Sequence, residues 1–239
     1  MDLTGYKLVF EDDFNGTELD NDVWYQWGPG PSRIGFNSDE MVRVEDGNLI
    51  IDCDYRDGKY GPGWYGNTIG TNQKFLRGYF ECRCICNDPV DRGGFWSAFW
   101  ILGNAGNPKI SKGGPGGSEI DVVEAMLTWE EHLPSVEHNV HVSGYPDGSG
   151  EGFRSMGAVP VQVPTCYTEY HTYGLEWNKE VYRFFVDGEC SLETAWAEGV
   201  SEVPQTVLLS VCVPGEDIED KTRKGKFVVD YVRIYQKEN

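Results

Sequence analysis

The sequence predicts an all-β chain folded as two antiparallel sheets packed face to face, and three observations support this. Short runs that alternate apolar and polar residues recur along the whole length, with no helical run of comparable length between them. Glycine reaches 30 residues and aromatics 13 %, a composition that suits many short strands and turns better than a helical bundle. Asp46-Gly47 and Asp187-Gly188 are two-residue hairpin signals. At 239 residues the chain can bury a large core, and a sandwich of that length is commonly one domain, so residues 1–239 are read as a single unit.

Taken in order, residues 7–14 alternate and form a first strand that ends at Asn15-Gly16. Trp24 and Trp27 follow in a stretch with the run Gly28-Pro29-Gly30-Pro31. The Asp46-Gly47 turn joins strands over 41–44 and 48–53, and every local signal in 57–66 reads as loop. From Tyr79 onward the faces can be assigned. Phe80, Cys82, Cys84 and Cys86 form an apolar row between the sheets, which sends Tyr79, Glu81 and Arg83 outward. Phe95, Phe99 and Ile101 point inward, while Trp96, Ala98 and Trp100 point outward. Val140 and Val142 are inward, with Asn139, His141 and Ser143 outside. An outer face that carries two tryptophans is not plain solvated surface, and these strands together read as the floor of a groove. The glycine-rich segment 103–118, with Pro108 and Pro115, is long enough to wall one end of it. Further strands are expected near 170–177, 181–187, 206–213 and 226–236.

The stretch Ser118-Glu119-Ile120-Asp121-Val122-Val123-Glu124-Ala125-Met126 organises the rest. It places three carboxylates in a short β-branched run of the kind that forms a buried strand. Glu119 and Asp121 share one face, and Ile120 and Val122 share the other. Glu124 is an odd step away, so one extra residue at Val122-Val123, a β-bulge, is needed to turn it back beside them. Three acids crowded on one face cannot all ionise freely, so at least one holds a proton near neutral pH. Two carboxyl groups with pKa values pushed apart are what acid/base glycoside chemistry uses. A solvated strand with scattered charge, or a calcium site, would draw on the same residue types.

Net charge is −19, from 39 acidic and 20 basic residues. Such a field repels nucleic acid and anionic membranes and suits a neutral polysaccharide. No apolar run approaches the ~20 residues of a membrane span. The opening Met-Asp-Leu-Thr-Gly-Tyr lacks the basic and apolar regions of a signal peptide. The expectation is a monomer that works outside the cell or at its surface with its export segment removed, or else a protein not exported by that route. Seven cysteines leave at least one thiol outside any intramolecular disulfide. Cys82, Cys84 and Cys86 fit no common zinc spacing and are poorly placed to pair, so they read as small core residues in a reducing setting.

Several of these stretches, in this order, resemble family 16 of the glycoside hydrolases. Glu119-Ile120-Asp121-Val122-Val123-Glu124 matches the E-x-D-x-x-E signature in the bulged form typical of laminarinase-like members. Phe10-Glu11-Asp12-Asp13-Phe14-Asn15-Gly16 resembles the family's opening, Gly78-Tyr79-Phe80-Glu81-Cys82-Arg83 its "YGxxExR" strand, and Trp96-Ser97-Ala98-Phe99-Trp100 its "WPAFW", with Ser97 where the family has proline. His171-Thr172-Tyr173-Gly174-Leu175-Glu176-Trp177 and Val229-Asp230-Tyr231-Val232-Arg233-Ile234-Tyr235 match later and closing strands.

The resemblance implies a concanavalin-like jelly roll with a concave substrate cleft, and a retaining endo-β-glucanase acting on β-1,3- or mixed β-1,3/1,4-glucan without a catalytic cofactor. It casts Glu119 as nucleophile, Glu124 as acid/base and Asp121 as the group that tunes protonation between them. Trp96, Trp100, His141, Asn37, Arg83 and Trp27 become substrate contacts, with Asn37 and Glu40 resembling the family's "NxE" loop one residue out of step. A structural calcium would be held by Asp230 and the Gly47 carbonyl. Two other readings stay open: a related β-galactanase cutting agar- or mucin-type chains, and a carbohydrate-binding lectin on the same sandwich.

Overall fold

The computed structural model describes residues 1–89, 94–107, 110–125, 134–150, 152–213 and 218–238. Pro108 of the glycine-rich segment and Met126 after the acids lie outside them. The strands in chain order are β1 (Tyr6–Asp12), β2 (Trp24–Gln26), β3 (Gly30–Ser32), β4 (Gly35–Asn37), β5 (Val42–Glu45) and β6 (Asn48–Gly58). Then come β7 (Gly61–Phe75), β8 (Gly78–Ile85), β9 (Trp96–Leu102), β10 (Glu119–Ala125), β11 (Ser135–Ser143) and β12 (Phe153–Ser155). The last are β13 (Val159–Gln162), β14 (His171–Trp177), β15 (Tyr182–Val186), β16 (Glu189–Thr194), β17 (Gln205–Cys212) and β18 (Lys224–Lys237). The only helical pieces among the described residues are two 3₁₀ turns, Asp39–Met41 and Gly114–Gly116.

The pairings form two layers. One runs β2–β7–β17–β9–β10–β11, with β12 and β13 on the two ends of β11. The other runs β16–β15–β14–β8–β18, and β18 pairs on its far side with β6 at one end and β1 at the other. β7 belongs to both: Asn67–Phe75 pairs with β17, whereas Gly61–Tyr65 pairs with β6. Every pairing is antiparallel except β4 with β7. A long strand that crosses from one sheet to the other is how such sandwiches make their corners.

The core lies between the layers. Phe80, Cys82 and Cys84 from β8 are fully buried there with Phe99 and Ile101 of β9, Ile120 and Val122 of β10, and Val140 of β11. Phe80 stacks on Trp177, with ring centroids 6.0 Å apart and planes 24° from parallel. All seven cysteines are free thiols, and five of them are buried. Asp46-Gly47 and Asp187-Gly188 make two-residue turns with φ positive at both positions (52° and 71°, 49° and 82°), the geometry whose twist matches that of the flanking strands.

Two expectations are corrected. Residues 57–66 are a tight hairpin between β6 and β7 rather than loop, held by the Tyr65 hydroxyl, which accepts from the Tyr60 amide and donates to the Gly61 carbonyl. Glycine and proline signal a turn, but the turn occupies only Lys59 and Tyr60 at its tip. The second correction concerns β8, which lies in the layer opposite the acids, so its outward residues face away from them. Alternation assigns a residue to a face; each sheet of a sandwich has an outer face of its own.

Phe80→Ala is expected to lower stability by about 3–5 kcal/mol, as for other large aromatic truncations in a core. The check is the urea midpoint, and a variant as stable as the parent protein would place that ring outside the core.

Candidate active site

The β-bulge sits in β10. Against β9, Asp121 pairs with Trp100 and Val123 with Phe99, so the register slips by one residue at Val122. Against β11, Asp121 pairs with Asn139 and Glu124 with Glu137, leaving Val122 and Val123 opposite one residue, His138. Two residues facing one is the definition of the device, and its effect is to re-aim the following side chain. Glu119, Asp121 and Glu124 therefore share the outer face, while Ile120, Val122, Val123 and Ala125 are fully buried in the core. Across β11 each acid faces a polar residue: Glu119 meets His141, Asp121 meets Asn139, and Glu124 meets Glu137. One ligand atom each of Glu119, Asp121 and His141 lies within 4.8 Å of the others. His141 Nε2 is 3.2 Å from the Asp121 carboxylate.

Burial sets the protonation order. Asp121 and Glu124 are only 3 % and 5 % exposed, while Glu119 is half-buried. Loss of water raises all three pKa values above the ordinary carboxylate range. The rise is smallest for Glu119, where the neighbouring His141 opposes it. For Asp121 the Glu119 charge adds to it. Glu124 goes well above its usual 4.5 chiefly because it is buried, and the charges of Asp121, Glu119 and Glu137 add to the rise. His141 is pushed down by burial and is neutral near pH 7. Glu119 is thus the acid least displaced from the ordinary carboxylate range, while Asp121 and Glu124 are both held well above it.

The tryptophans border this face. Trp100 donates its indole N–H to Ser210 Oγ at 3.1 Å, and Trp27 meets it edge-on with centroids 5.8 Å apart. Trp96 carries the Arg33 guanidinium 4.5 Å over its ring. Asn37 is buried and donates to the Gly28 carbonyl at 3.2 Å, which anchors the backbone next to Trp27. Glu40 accepts from the Lys59 amide and so caps the 57–66 hairpin. Ser97, in the place of the family's proline, accepts the Asn87 amide with its hydroxyl. The glycine-rich segment is tied to the rim by Gly113 N–H to Ser143 O and Gly114 N–H to Ala197 O, at 3.1 and 2.9 Å. A Cβ at Gly114 would run into the Gly199 carbonyl, which is why this close approach needs glycine.

Arg83 is not part of this site. It stands on the outer face of the opposite sheet, ion-paired with Asp230 and 4.4 Å over the Tyr170 ring. Glu81 beside it accepts from the Tyr79 and Tyr231 hydroxyls. The same pair bears on the calcium expected at Asp230 and Gly47: the Asp230 carboxylate already faces a fixed guanidinium. Among the described residues the only metal-spaced group of three acids, histidines or cysteines is Glu119, Asp121 and His141. The sequence reading passed over Glu137, Arg33 and Phe153, whose exposed ring stacks on His141 at 4.8 Å. Glu137 carried a usable signal, being two and four residues before the outward Asn139 and His141; Arg33 and Phe153 sit in turn-rich segments with none.

A two-sheet sandwich with a carboxylate trio and flanking indoles on one outer face holds the kind of paired carboxyl groups that glycoside hydrolysis uses. Residues 32–233 match the model for glycosyl hydrolases family 16, and the chain belongs to that family. It is 28 % identical to the clotting factor G alpha subunit of Tachypleus tridentatus over 97 % of its length, and 26 % identical to glucan endo-1,3-beta-glucosidase A1 of Niallia circulans over 99 %. It spans only 34 % and 39 % of those two proteins. A beta-glucanase of Rhodothermus marinus is 26 % identical over 97 % of this chain and 85 % of its own. The fold is shared with LamA from Z. galactanivorans in complex with laminaritriose and laminaritetraose, at TM-score 0.76, 22 % identity, and coverage of 96 % and 98 %.

A raised carboxyl pKa means that the folded state favours the protonated form. Stability is then greatest below the unfolded value and is lost as pH rises from that value toward the folded one. Glu124→Gln is therefore expected to melt at a higher temperature than the parent protein at pH 7, with the difference closing as pH falls below the usual glutamate value of 4.5. Thermal melts at pH 4 and 7 check it, and a Gln variant that is less stable at both would show Glu124 to be favourably solvated.

Proposed function

We propose that the protein is a retaining endo-β-glucanase that cuts β-1,3- or mixed β-1,3/1,4-glucan by double displacement. The observation that carries this reading is the shared face of Glu119, Asp121 and Glu124, with the half-buried Glu119 at one end and the buried Glu124, held well above the usual carboxylate range, at the other. The Glu119 carboxylate attacks the anomeric carbon while Glu124 gives its proton to the departing glycosidic oxygen. The resulting glycosyl ester is opened by water, whose proton returns to Glu124 as the water oxygen bonds to the anomeric carbon and Glu119 leaves as carboxylate. Asp121 lies between the two, and negative charge on it disfavours ionisation of Glu124, which helps that acid hold its proton. The cycle consumes water alone and calls on no cofactor.

Trp96 and Trp100 offer aromatic faces to the apolar C–H patches of pyranose rings, with Trp27 beside Trp100 extending the surface. Support for a glucan comes from the relatives named for glucanase activity and from the acidic chain, whose field does not favour a sulfated polymer. A polymeric substrate is met outside the cell, which supports work there or at the cell surface. No helix among the described residues is long and apolar enough to cross a membrane. The pairing of β1 with β18 near the two chain ends supports residues 1–239 as one catalytic unit, taken as a monomer.

Incubation with laminarin, barley β-glucan and agarose, followed by reducing-end measurement, is expected to show release from one or both glucans. Release from agarose alone would favour a β-galactanase, and tight binding without release a lectin. Glu119→Gln and Glu124→Gln are each expected to lower kcat by on the order of 10²–10⁴-fold with the fold intact. Undiminished turnover in the Glu119 variant would overturn the assignment.

Glu137 gives a separate handle on Glu124. Its negative charge favours the protonated form of the facing acid, so Glu137→Gln is expected to move the alkaline limb of the kcat/KM profile to lower pH. A limb that stays in place would assign the proton-holding environment to Asp121 and burial alone.

A further inference from the structure

The bulge leaves a carbonyl to satisfy. Val122 stands out of register on both sides of β10, because β9 pairs Asp121 and Val123 while β11 pairs Asp121 and Glu124. Its side chain is fully buried, and a buried carbonyl left without a donor costs about 1–3 kcal/mol. The structure supplies a donor from the one residue that faces the bulge. His138 Nδ1 lies 2.6 Å from the Val122 oxygen, and the imidazole is fully buried.

The ring is fixed from two further directions. Its Nε2 lies 2.8 Å from Ser191 Oγ on β16 of the opposite sheet, and its face packs on Phe184 of β15 at 4.8 Å. Burial pushes the imidazole pKa down to about 4, so the ring is neutral and carries one N–H. Only a donor can sit 2.6 Å from a carbonyl, so that proton is on Nδ1, and Nε2 accepts from the Ser191 hydroxyl. The bonds of His138 go to the Val122 carbonyl and Ser191 rather than to the acids. Its strand neighbours do: Glu137 faces Glu124 and Asn139 faces Asp121.

We propose that His138 is a positioning residue: it locks the extra residue of β10 in place and thereby holds the Glu124 carboxyl on the side of the sheet where Glu119 works. This rests on the hydrolase reading above. Without the bond from His138 the Val122 carbonyl has an incentive to regain a ladder partner, and regaining one means sliding the register toward the unbulged strand, in which Glu124 points into the core. The single Ser191 hydroxyl hydrogen lies between two acceptors, His138 Nε2 at 2.8 Å and the Phe184 carbonyl at 3.1 Å, so it turns wholly to the carbonyl when the imidazole is gone.

The test compares His138→Leu, which keeps the bulk and removes the donor, with His138→Asn, whose amide nitrogen takes nearly the place of Nδ1. A misplacement of about 1 Å at a reacting group costs on the order of 100-fold in rate, so the Leu variant is expected to lose about that much kcat with KM within about twofold of the parent protein. The Asn variant is expected to recover at least about tenfold of the loss. A Leu variant with the parent kcat, or an Asn variant no better than Leu, overturns the proposal. Should the Leu variant fail to fold, Ser191→Ala decides: freed to exchange tautomers, His138 is expected to lower kcat several-fold, and an unchanged kcat counts against the role. Histidine ¹⁵N spectra give a readout independent of activity. An Nδ1–H, Nε2-bare ring at position 138 is expected at pH 6, and an Nε2–H ring overturns the bond. A parent protein with the expected tautomer but no release from any glycan in the panel would defeat the hydrolase reading and leave the bond standing.

Discussion

A strand presents its side chains at intervals of two, and three acids at positions one, three and six cannot share a face unless the strand breaks that rule once. The break at Val122 is the constraint on which the site depends. It must be confined to one residue, because β9 and β11 run on in register to either side: Ile120 still meets Ile101 and Val140, and Ala125 still meets Ser97. It must also be local in polarity, since Val122 and Val123 are fully buried, as are Phe99 and Val140 beside them, and a loose carbonyl there would be costly. A histidine facing inward from β11 meets both conditions. It brings a donor to the orphaned oxygen and fills the space above Phe184 that an apolar residue would otherwise take.

The bulge concentrates charge that the fold would rather disperse. Bringing Glu124 beside Asp121 and opposite Glu137 places several carboxyl groups in a patch where water is largely excluded. The folded state resolves this by favouring the protonated form of the more buried acids, which weakens stability at neutral pH. Stability and reactivity are traded through the same burial, so the acids cannot be relaxed without blunting the chemistry.

Much of this was legible in the chain, for reasons that particular residues make plain. The parity of Phe99 against Trp100, or of Val140 against His141, is a local property and survived into the sheet. The need for a bulge followed from counting between Asp121 and Glu124. Arg83 marks the limit: its outward parity was right, yet β8 joined β14 and β18 rather than β9 and β10, a choice made by long-range packing that no local pattern encodes. The 57–66 hairpin was missed for a related reason. Its glycines and prolines speak against strand locally, while the register with Asp54–Gly58 that makes it a strand is a tertiary fact. Arg33 over Trp96 and Phe153 on His141 belong to the same class, one from a turn and one from the short strand β12, brought to the rim by folding.

The two outer faces of the sandwich show what sets the site apart without appeal to any relative. On the sheet of β8, acids are met by cations or hydroxyls: Asp230 by Arg83, Glu81 by Tyr79 and Tyr231, Glu176 by Arg183 and Tyr6, Glu11 and Asp13 by Arg233. These bonds join β1, β8, β14, β15 and β18 across the sheet, and at this exposure each is worth little alone while together they fix the registry of neighbouring strands. On the sheet of β10 the same residue types face one another and a neutral histidine. Paired acids are answered where they stand, whereas acids set against acids hold protons that a substrate can take. A chain with 39 carboxylates has many places to put charge. That it gathers several in one nearly dry patch, at the expense of its own ladder, is the physical argument that this patch is where the chemistry occurs.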